Sequence, residues 1–565
     1  MSRSLSPNSN LENLRREARR WLKAVAAGDA EASARFRAAF PDHTATPKLR
    51  EVQHALAREH GFPSWAALKQ EMEDRARTHA QRVELFLEKG VHRYGTDPRT
   101  HKWGSYERDG AARGALAARL LGRHPEIARE NIHTAVLAHD IDAVRAFLAK
   151  DPALARQRHP FDGWTPLARL AYARLPIPAV ANALPIADLL LDSGADVSLV
   201  TPDELNGFTV LTGVIGGGEG GQSAHPQAKA FARLLIARGA DPRDGQALYN
   251  TSLGEDDTFW LDLLWSESEK RGDTPDRWHE AIPDVLGPPL EYLLGNAVPH
   301  HPKRVAWLLA HGADARANNF YSKQPVIREA ARAGAEDIVA LLEHYGATRP
   351  ELFEPDRFLA AARTGNIPEL RRLAQANPAL LQTPHAMFAA INARRADIAE
   401  ALLDLGMSPD IGDEKNFRAL HLTTHSGAAD IARLLIARGA EIDPFELRYG
   451  GSPLTHASYH EQPEMIAILA PLSSNFRGLC YAGAVDRVRE LLVAEPDRAN
   501  REDRPGEPAL FCLPGDEEKA LAIADLLLAF GADPAFCNPL GQTPAEAARR
   551  RGLDDAAALI EDAQT

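Results

Sequence analysis

The nonamer ARLLIARGA stands at residues 232–240 and, without a single change, again at residues 432–440. Chance is a poor explanation for nine matched residues. The nonamer is therefore either a functional motif used twice or one phase of a unit that the chain repeats. A repeated unit constrains the fold more strongly than a motif does, because each unit of a repeat array packs mainly against its neighbours in sequence.

The phase of the nonamer, two leucines followed by a glycine turn, recurs along the chain. The glycines of the copies are Gly194, Gly239, Gly312, Gly346, Gly406, Gly439 and Gly531. Two neighbouring pairs are 34 and 33 residues apart, which sets the period of the unit. In four intervening copies a proline replaces the glycine, as in LLGRHPEIA, FLAKDPALA, RLAQANPALL and LLVAEPDRA. Both residues end a helix, since glycine adopts the left-handed C′ conformation and proline cannot continue a helix.

A helix start opens each unit. The clearest copies, GWTPLARLA, GFTVLTGV, GSPLTHAS and GQTPAEAA, begin at Gly163, Gly207, Gly451 and Gly541. Their Thr or Ser predicts an N-cap, and Pro at the first helical position has no amide hydrogen to lose. Small residues, a turn and an apolar second helix follow. Each unit is therefore predicted to be a turn, a short helix, a tight bend and a second helix.

A period of about 33 that opens with T-P-L-H-x-A and closes with L-L-x-x-G-A-D resembles the ankyrin repeat. The best single copy is FRALHLTTHSGAADIARLLIARGAEID, residues 417–443. The resemblance covers about twelve units over residues 131–565 and implies an all-α solenoid of helix pairs with short hairpin fingers. Another α-solenoid, of the tetratricopeptide or HEAT type, is the alternative. Its period fits equally well, but it does not explain the Gly-Ala-Asp closings.

Other segments flank or interrupt the array. Residues 1–80 contain amphipathic helical patterns and resemble a helical leader found ahead of bacterial ankyrin arrays, and residues 81–130 are predicted to be a linker with the first array helix. Insertions are predicted near residues 172–185, 216–227, 247–288 and 513–520, at the bend between two helices, where extra residues do not disturb stacking.

Composition narrows the class of protein. A net charge of −13 disfavours nucleic acid and anionic membranes as partners. The three cysteines, Cys480, Cys512 and Cys537, form no CxxC pair, so neither a structural zinc nor a disulfide framework is expected. The sequence shows no apolar signal region and no run of about 18 apolar residues. We expect a cytoplasmic protein without a metal or other cofactor.

Three motifs contain residue types that are found in catalytic or binding sites. His421 and His425 share a helical face, but the glutamate of H-E-x-x-H is absent, and the resemblance implies that His421 bonds to backbone between repeats. GGGEGG at residues 216–221 lacks the Gly-Lys-Ser/Thr ending of a phosphate loop and predicts a flexible loop. GEDDTFWLDLLW at residues 254–265 predicts core tryptophans beside a charge run, with a binding site as the alternative.

In an ankyrin array the finger tips and the outward positions of the first helix line a concave face and are free to specify a partner. Aligned on the motifs, these positions are Glu414, Lys415, Phe417, His425 and Ser426 in one copy. Elsewhere they include Phe161, Asp162, Trp164 and Tyr172, and in the last copy Arg550 and Arg551. Exposed aromatic side chains at positions 164, 172 and 417 would be typical hot spots, and the alternative is that they pack on neighbouring fingers.

The resemblance implies a monomeric, non-enzymatic scaffold that binds another protein through this concave face. Two alternatives remain open. One is an enzyme-associated or regulatory subunit with a site in residues 247–301, and the other is a host-directed bacterial effector with the same fold.

Overall fold

The computed structural model describes residues 5, 10–41, 47, 49–94, 110–160, 162–198, 208–218, 221–273, 275–282, 287–502 and 506–564. Within these ranges the regular secondary structure is helical, and the extended segments meet only in isolated β-bridges. The predicted all-α class and the helix pairs are confirmed. The chain divides into two compact units, Met1–Asn250 and Thr251–Thr565.

The first unit begins with the predicted leader. Its helices are Leu11–Ala26, Ala30–Ala39, Leu49–Glu59 and Trp65–Ala76. Asn10, Asp29 and Ser64 cap three of them with a side-chain oxygen, as the polar residue before an apolar run predicts. The apolar faces meet in one cluster that includes Leu14, Trp21, Phe36, Leu56 and Leu68. The leader therefore has a hydrophobic core of its own.

Helix pairs fill the rest of the first unit. They are His79–Lys89 with Gly110–Arg123, Ile132–Leu137 with Ile141–Lys150, Pro166–Ala171 with Ala183–Asp192, and Val210–Ile215 with Ala228–Ala237. The helix Gly245–Ser252 follows them. Residues 81–89, assigned from the sequence to a linker, are therefore helical.

The second unit continues the same alternation. After Phe259–Lys270 come the pairs Pro289–Ala297 with Pro302–Ala310, Val326–Ala333 with Glu336–His344, Glu354–Thr364 with Ile367–Ala376, His385–Asn392 with Ala396–Asp404, Ala419–Ser426 with Ala429–Ala437, Pro453–Tyr459 with Pro463–Leu469, and Phe476–Ala482 with Val485–Ala494. Glu517–Ala529 and the pair Pro544–Arg550 with Asp554–Asp562 complete it. Across the described part of the chain, no helix combines the length and the apolar character needed to cross a membrane.

The predicted helix starts are confirmed at all four of the clearest copies. The side chains of Thr165, Thr209, Ser452 and Thr543 each accept a hydrogen bond from the backbone N–H three residues on. At Thr543 the side chain of Glu546 reaches back to the N-cap amide and completes a capping box. A short first helix can therefore begin at a fixed residue in each repeat.

The two helix-ending residues act differently. The nonamer glycines, Gly239 and Gly439, have φ angles of +112° and +90°, the left-handed region that ends a helix without a Cβ clash. The proline copies instead begin a short 3-10 helix: Pro125–Arg129, Pro152–Arg156, Pro378–Gln382 and Pro496–Ala499. Three further 3-10 helices are Pro178–Asn182, Pro275–His279 and Ala509–Phe511.

The two copies of the nonamer make equivalent contacts. Arg238 pairs with Asp188 and Asp192 at 2.8 and 2.7 Å. Arg438 pairs with Glu400 and Asp404 at 3.3 and 2.8 Å. In each case the arginine at the end of one second helix reaches two carboxylates on the second helix of the preceding repeat. The repeated sequence is therefore the end of a stacked helix and not a separate functional motif.

Candidate functional site

The structure corrects the predicted exposure of two aromatic contact residues. Trp164 and Tyr172 are each 1% exposed. Their rings pack edge to face with centroids 5.0 Å apart. Both are core residues, so the alternative that these rings pack internally holds. Phe161, predicted as a contact beside them, lies outside the described residues.

An upstream segment covers these two rings. Val91 and Ala173 form an isolated β-bridge, and the backbone N–H of His92 donates to the carbonyl of Tyr172 at 2.9 Å. The ring of Tyr94 lies 6.2 Å from the ring of Tyr172. The covering segment belongs to the predicted linker. It therefore occupies the surface through which Trp164 and Tyr172 would have met a partner.

Asp162, also predicted as a contact, forms a buried ion pair instead. Its carboxylate accepts from Nη2 of Arg169 at 2.8 and 2.9 Å, and Arg93 lies 3.2 Å away. Burial alone would raise the pKa of Asp162, but the two guanidinium groups overcome that effect and hold the pKa below its ordinary value. The prediction of a surface contact is wrong here, because the carboxylate compensates a buried cation.

In the second unit, two adjacent hairpin loops, residues 411–418 and 444–451, form what we term the finger platform. A bridge closes each loop, Gly412 to Arg418 and Glu446 to Gly451. The N–H of Leu447 donates to the carbonyl of Lys415 at 2.9 Å. The side-chain amide of Asn416 donates to the carbonyl of Phe445 at 2.7 Å. These bonds join the fingers of successive repeats, so their outer surface is preformed.

Large apolar side chains cover the outside of the finger platform. Phe445 is 55%, Leu447 71% and Tyr449 66% exposed. Glu414 and Lys415 are exposed beside them, as predicted, and His425 and Ser426 are half-buried at the edge. Three such side chains on one braced loop form an apolar patch of the kind that marks a protein interface.

Phe417, the third predicted aromatic contact, is buried, so its expected exposure is wrong. Its ring lies 5.5 Å from the ring of His421 and 6.2 Å from that of Tyr449. The guanidinium of Arg448 lies 5.4 Å from the same ring centroid, and Arg448 also pairs with Asp413. Phe417 therefore supports the platform from beneath and does not form its surface.

His421 has the structural role that the sequence implied. Its Nδ1 accepts from the backbone N–H of Arg418 at 3.1 Å, and its Nε2 donates to the carbonyl of Pro444 at 3.1 Å. The imidazole thus links the first helix of one repeat to the finger of the next. The described residues contain no group of three or more His, Cys, Asp or Glu side chains that could hold a metal ion.

A hydrogen-bonded relay lies at the edge of the finger platform. The buried carboxylate of Glu446 lies 3.1 Å from Nε2 of His456. Nδ1 of His456 lies 2.9 Å from Nε2 of His425, and the ring of His460 lies 4.3 Å from that of His425. Burial, with smaller contributions from the neighbouring imidazoles, lowers the pKa of His425 to about 4. The relay therefore ends in a neutral imidazole at the edge of the apolar patch.

Sequence reasoning missed most of this surface. The outward positions His425 and Ser426 correspond, one repeat further on, to Tyr459 and His460, and the finger positions correspond to Arg448 and Tyr449. Extending the alignment by one repeat would have found these four residues. Phe445, Leu447 and the Glu446–His456 contact carry no comparable signal, because the motif does not fix the conformation of the finger.

The two predicted contact residues of the last repeat, Arg550 and Arg551, have different surroundings. Arg550 is exposed, but Arg551 donates to the carbonyl of Leu513 at 2.8 Å and lies over the ring of Tyr481. Arg549, beside them, pairs with Glu561. Within the described part of the structure, Arg550 is the one arginine of this run for which no hydrogen bond or ion pair is found.

Polar side chains in residues 254–301 serve local structure. The carboxylate of Asp256 caps the helix Pro302–Ala310 by accepting from the N–H groups of Lys303 and Arg304, both at 3.1 Å. Asp262 accepts from the indole N–H of Trp307 at 2.7 Å. Trp278 is buried against Trp265, with centroids 5.2 Å apart. These aromatic and acidic side chains thus act in packing and capping.

Comparisons with known proteins match parts of this chain. Residues 386–477, which contain the finger platform, match the family described as ankyrin repeats (3 copies). A mouse protein described as B-cell lymphoma 3 protein homolog is 31% identical over 103 residues, 18% of this chain and 23% of that protein. The chain thus spans about a quarter of the length of this curated relative. A solved ankyrin repeat domain from Acinetobacter baumannii AYE is 22% identical, covers 32% of this chain and 97% of its own, and has a TM-score of 0.26.

Proposed function

We propose that this chain, which is an ankyrin repeat protein, is a non-enzymatic scaffold that binds a partner protein through the finger platform. The observation that carries the proposal is the joint exposure of Phe445, Leu447 and Tyr449 on a loop braced to its neighbour. Because the backbone of that loop is already fixed, little ordering entropy is lost when a partner covers it.

The charge around the patch favours a protein as the partner. Glu414 and Lys415 place one negative and one positive side chain beside the apolar residues. A polar rim around an apolar centre is the usual anatomy of a protein interface. A nucleic acid would need a basic face, whereas the chain carries a net charge of −13.

Replacing Phe445, Leu447 and Tyr449 together with serine is expected to abolish recovery of the partner in affinity purification from the native cell. The loss of three apolar contacts at an interface centre weakens binding by more than about 3 kcal/mol, or over a hundredfold. A photo-crosslinking side chain at position 447 is expected to capture the same protein.

The matched control replaces Tyr345, Leu472 and Val493, three exposed apolar residues outside the platform, with serine. It removes a comparable amount of exposed apolar surface and should leave recovery unchanged. Equal recovery from the platform variant and the wild type would rule out this surface. Catalytic turnover by the purified chain would contradict the scaffold.

A further inference from the structure

The relay at the platform edge begins at an ionised carboxylate. Glu446 accepts from the backbone N–H of Arg448 at 2.6 Å and from that of Tyr449 at 3.0 Å. Burial would raise the pKa of Glu446, but these two backbone donors and His456 hold the pKa below its ordinary value. An ionised carboxylate only accepts hydrogen bonds. The proton in the Glu446–His456 contact therefore lies on Nε2 of His456.

This proton fixes the tautomer of the next imidazole. A neutral imidazole carries one N–H, so the Nδ1 of His456 is an acceptor and Nε2 of His425 must donate to it across 2.9 Å. The Nδ1 of His425 is then left without a proton. Burial lowers the pKa of both histidines, which keeps them neutral near pH 7.

His425 is half-buried, and its free nitrogen belongs to an imidazole at the edge of the finger platform. This nitrogen makes no hydrogen bond to any residue that the structure describes, and it is absent from the unpaired polar atoms that are buried. The cations around it are engaged elsewhere: Arg394 donates to the carbonyl of Ser426, Arg418 pairs with Asp410 and Glu441, and Arg448 pairs with Asp413. The imidazole of His460 also lies close, with its ring centroid 4.3 Å from that of His425, and its charge disfavours a proton on His425.

We propose that Nδ1 of His425 is a preset hydrogen-bond acceptor of the recognition surface, which takes a neutral N–H or O–H donor from the partner protein. His456 and Glu446 are positioning residues that fix its tautomer. The inference rests on the proposed function of the finger platform. A cationic donor fits less well, because the half-buried position that disfavours charge on His425 itself also disfavours a partner's cation there.

Nitrogen-15 NMR of the full chain tests the acceptor directly. We expect Nδ1 of His425 to resonate as an unprotonated nitrogen at neutral pH. It should shift toward lower frequency with N-methylacetamide, which has an N–H donor, and not with N,N-dimethylacetamide, which has none. His456→Phe should remove the tautomer preference, and His344→Phe, at an exposed site away from the platform, should leave it intact. A proton on Nδ1 in the wild type, or equal responses to the two amides, overturns the proposal.

The affinity for the partner protein that is recovered through the finger platform distinguishes the two proposals. His425→Phe should weaken it roughly tenfold, the loss expected for one hydrogen bond, and His425→Asn, which keeps an acceptor, should restore part of it. If His425→Phe binds as the wild type does while the platform serine variant fails, the acceptor is refuted and the platform stands. If neither variant weakens binding, both proposals fail.

Discussion

Asp162→Asn is expected to lower the free energy of unfolding by about 3–5 kcal/mol, because it leaves a buried guanidinium without its counter-ion. The side chain of Arg169 is 0% exposed, and that of Asp162 is 6% exposed. Besides Asp162, the guanidinium of Arg169 contacts the carbonyl of Leu87 at 3.1 Å and lies 5.9 Å from the ring centroid of Trp164, and both contacts are with uncharged groups. An asparagine keeps the shape of the side chain but removes the charge, so the desolvation cost of Arg169 is no longer compensated. Chemical denaturation at neutral pH measures the change.

Two further variants test this explanation. The double variant Asp162→Asn with Arg169→Met removes the stranded cation and is expected to recover much of the loss, since replacing a buried pair by apolar groups is often close to neutral. Asp142→Asn breaks the exposed pair with Arg145 and should cost no more than about 1 kcal/mol. A loss of that small size for Asp162→Asn would show that Arg169 finds enough solvent or another partner.

The repeat elements were predictable because their signals are local. An N-cap such as Thr165 needs only the amide three residues on, and the end of a helix at Gly439 needs only a residue without a Cβ. Each requirement lies inside a few consecutive residues. Sequence alone could therefore place most helix starts and ends.

The burial of Trp164 and Tyr172 was not predictable in the same way. The residues that cover them, Val91 to Tyr94, come from an earlier segment whose composition is that of a loop. The motif identifies outward positions of an ideal repeat, but it carries no information about a distant segment that packs over them. The same limit explains why the sequence did not predict the buried ion pair of Asp162, because its partner Arg93 lies in that segment.

At the finger platform, the repeat motif predicted which positions lie at the finger tips but not the hydrogen-bonded relay beside them. Glu414 and Lys415 are exposed because they lie at a finger tip, a position that the motif locates. The relay needs Glu446 from a finger, His456 from one helix and His425 from another. Because the motif constrains none of these three identities, only the folded chain reveals that they meet.

Mild acid is expected to destabilise the first unit strongly, through its buried neutral histidines. Burial lowers the pKa of His133 and His225 to about 3 and that of His139 to about 4, against 6.5 as the ordinary value that returns on unfolding. Below pH 6.5 the unfolded chain therefore binds protons that the folded chain does not, and stability falls as the pH falls. Each histidine contributes about 1.4 kcal/mol per pH unit, so the three together remove about 4 kcal/mol between pH 6 and 5.

Carboxylates with lowered pKa, such as Asp162, act below about pH 4, but burial raises the pKa of Asp244, and its protonation in the folded chain would oppose the effect of the histidines, so a histidine variant is needed. His133→Leu tests the cause, because neither ring nitrogen of His133 has a hydrogen-bond partner to lose. The variant should match the wild type at pH 7 and exceed its stability by about 1.5–2 kcal/mol at pH 5, whereas His344→Leu, at an exposed imidazole, should not. Denaturant unfolding from pH 7 to 5 gives the slopes, and hydrogen exchange should show protection lost around His133, His139 and His225. Parallel pH profiles for wild type and His133→Leu would remove these histidines as the cause.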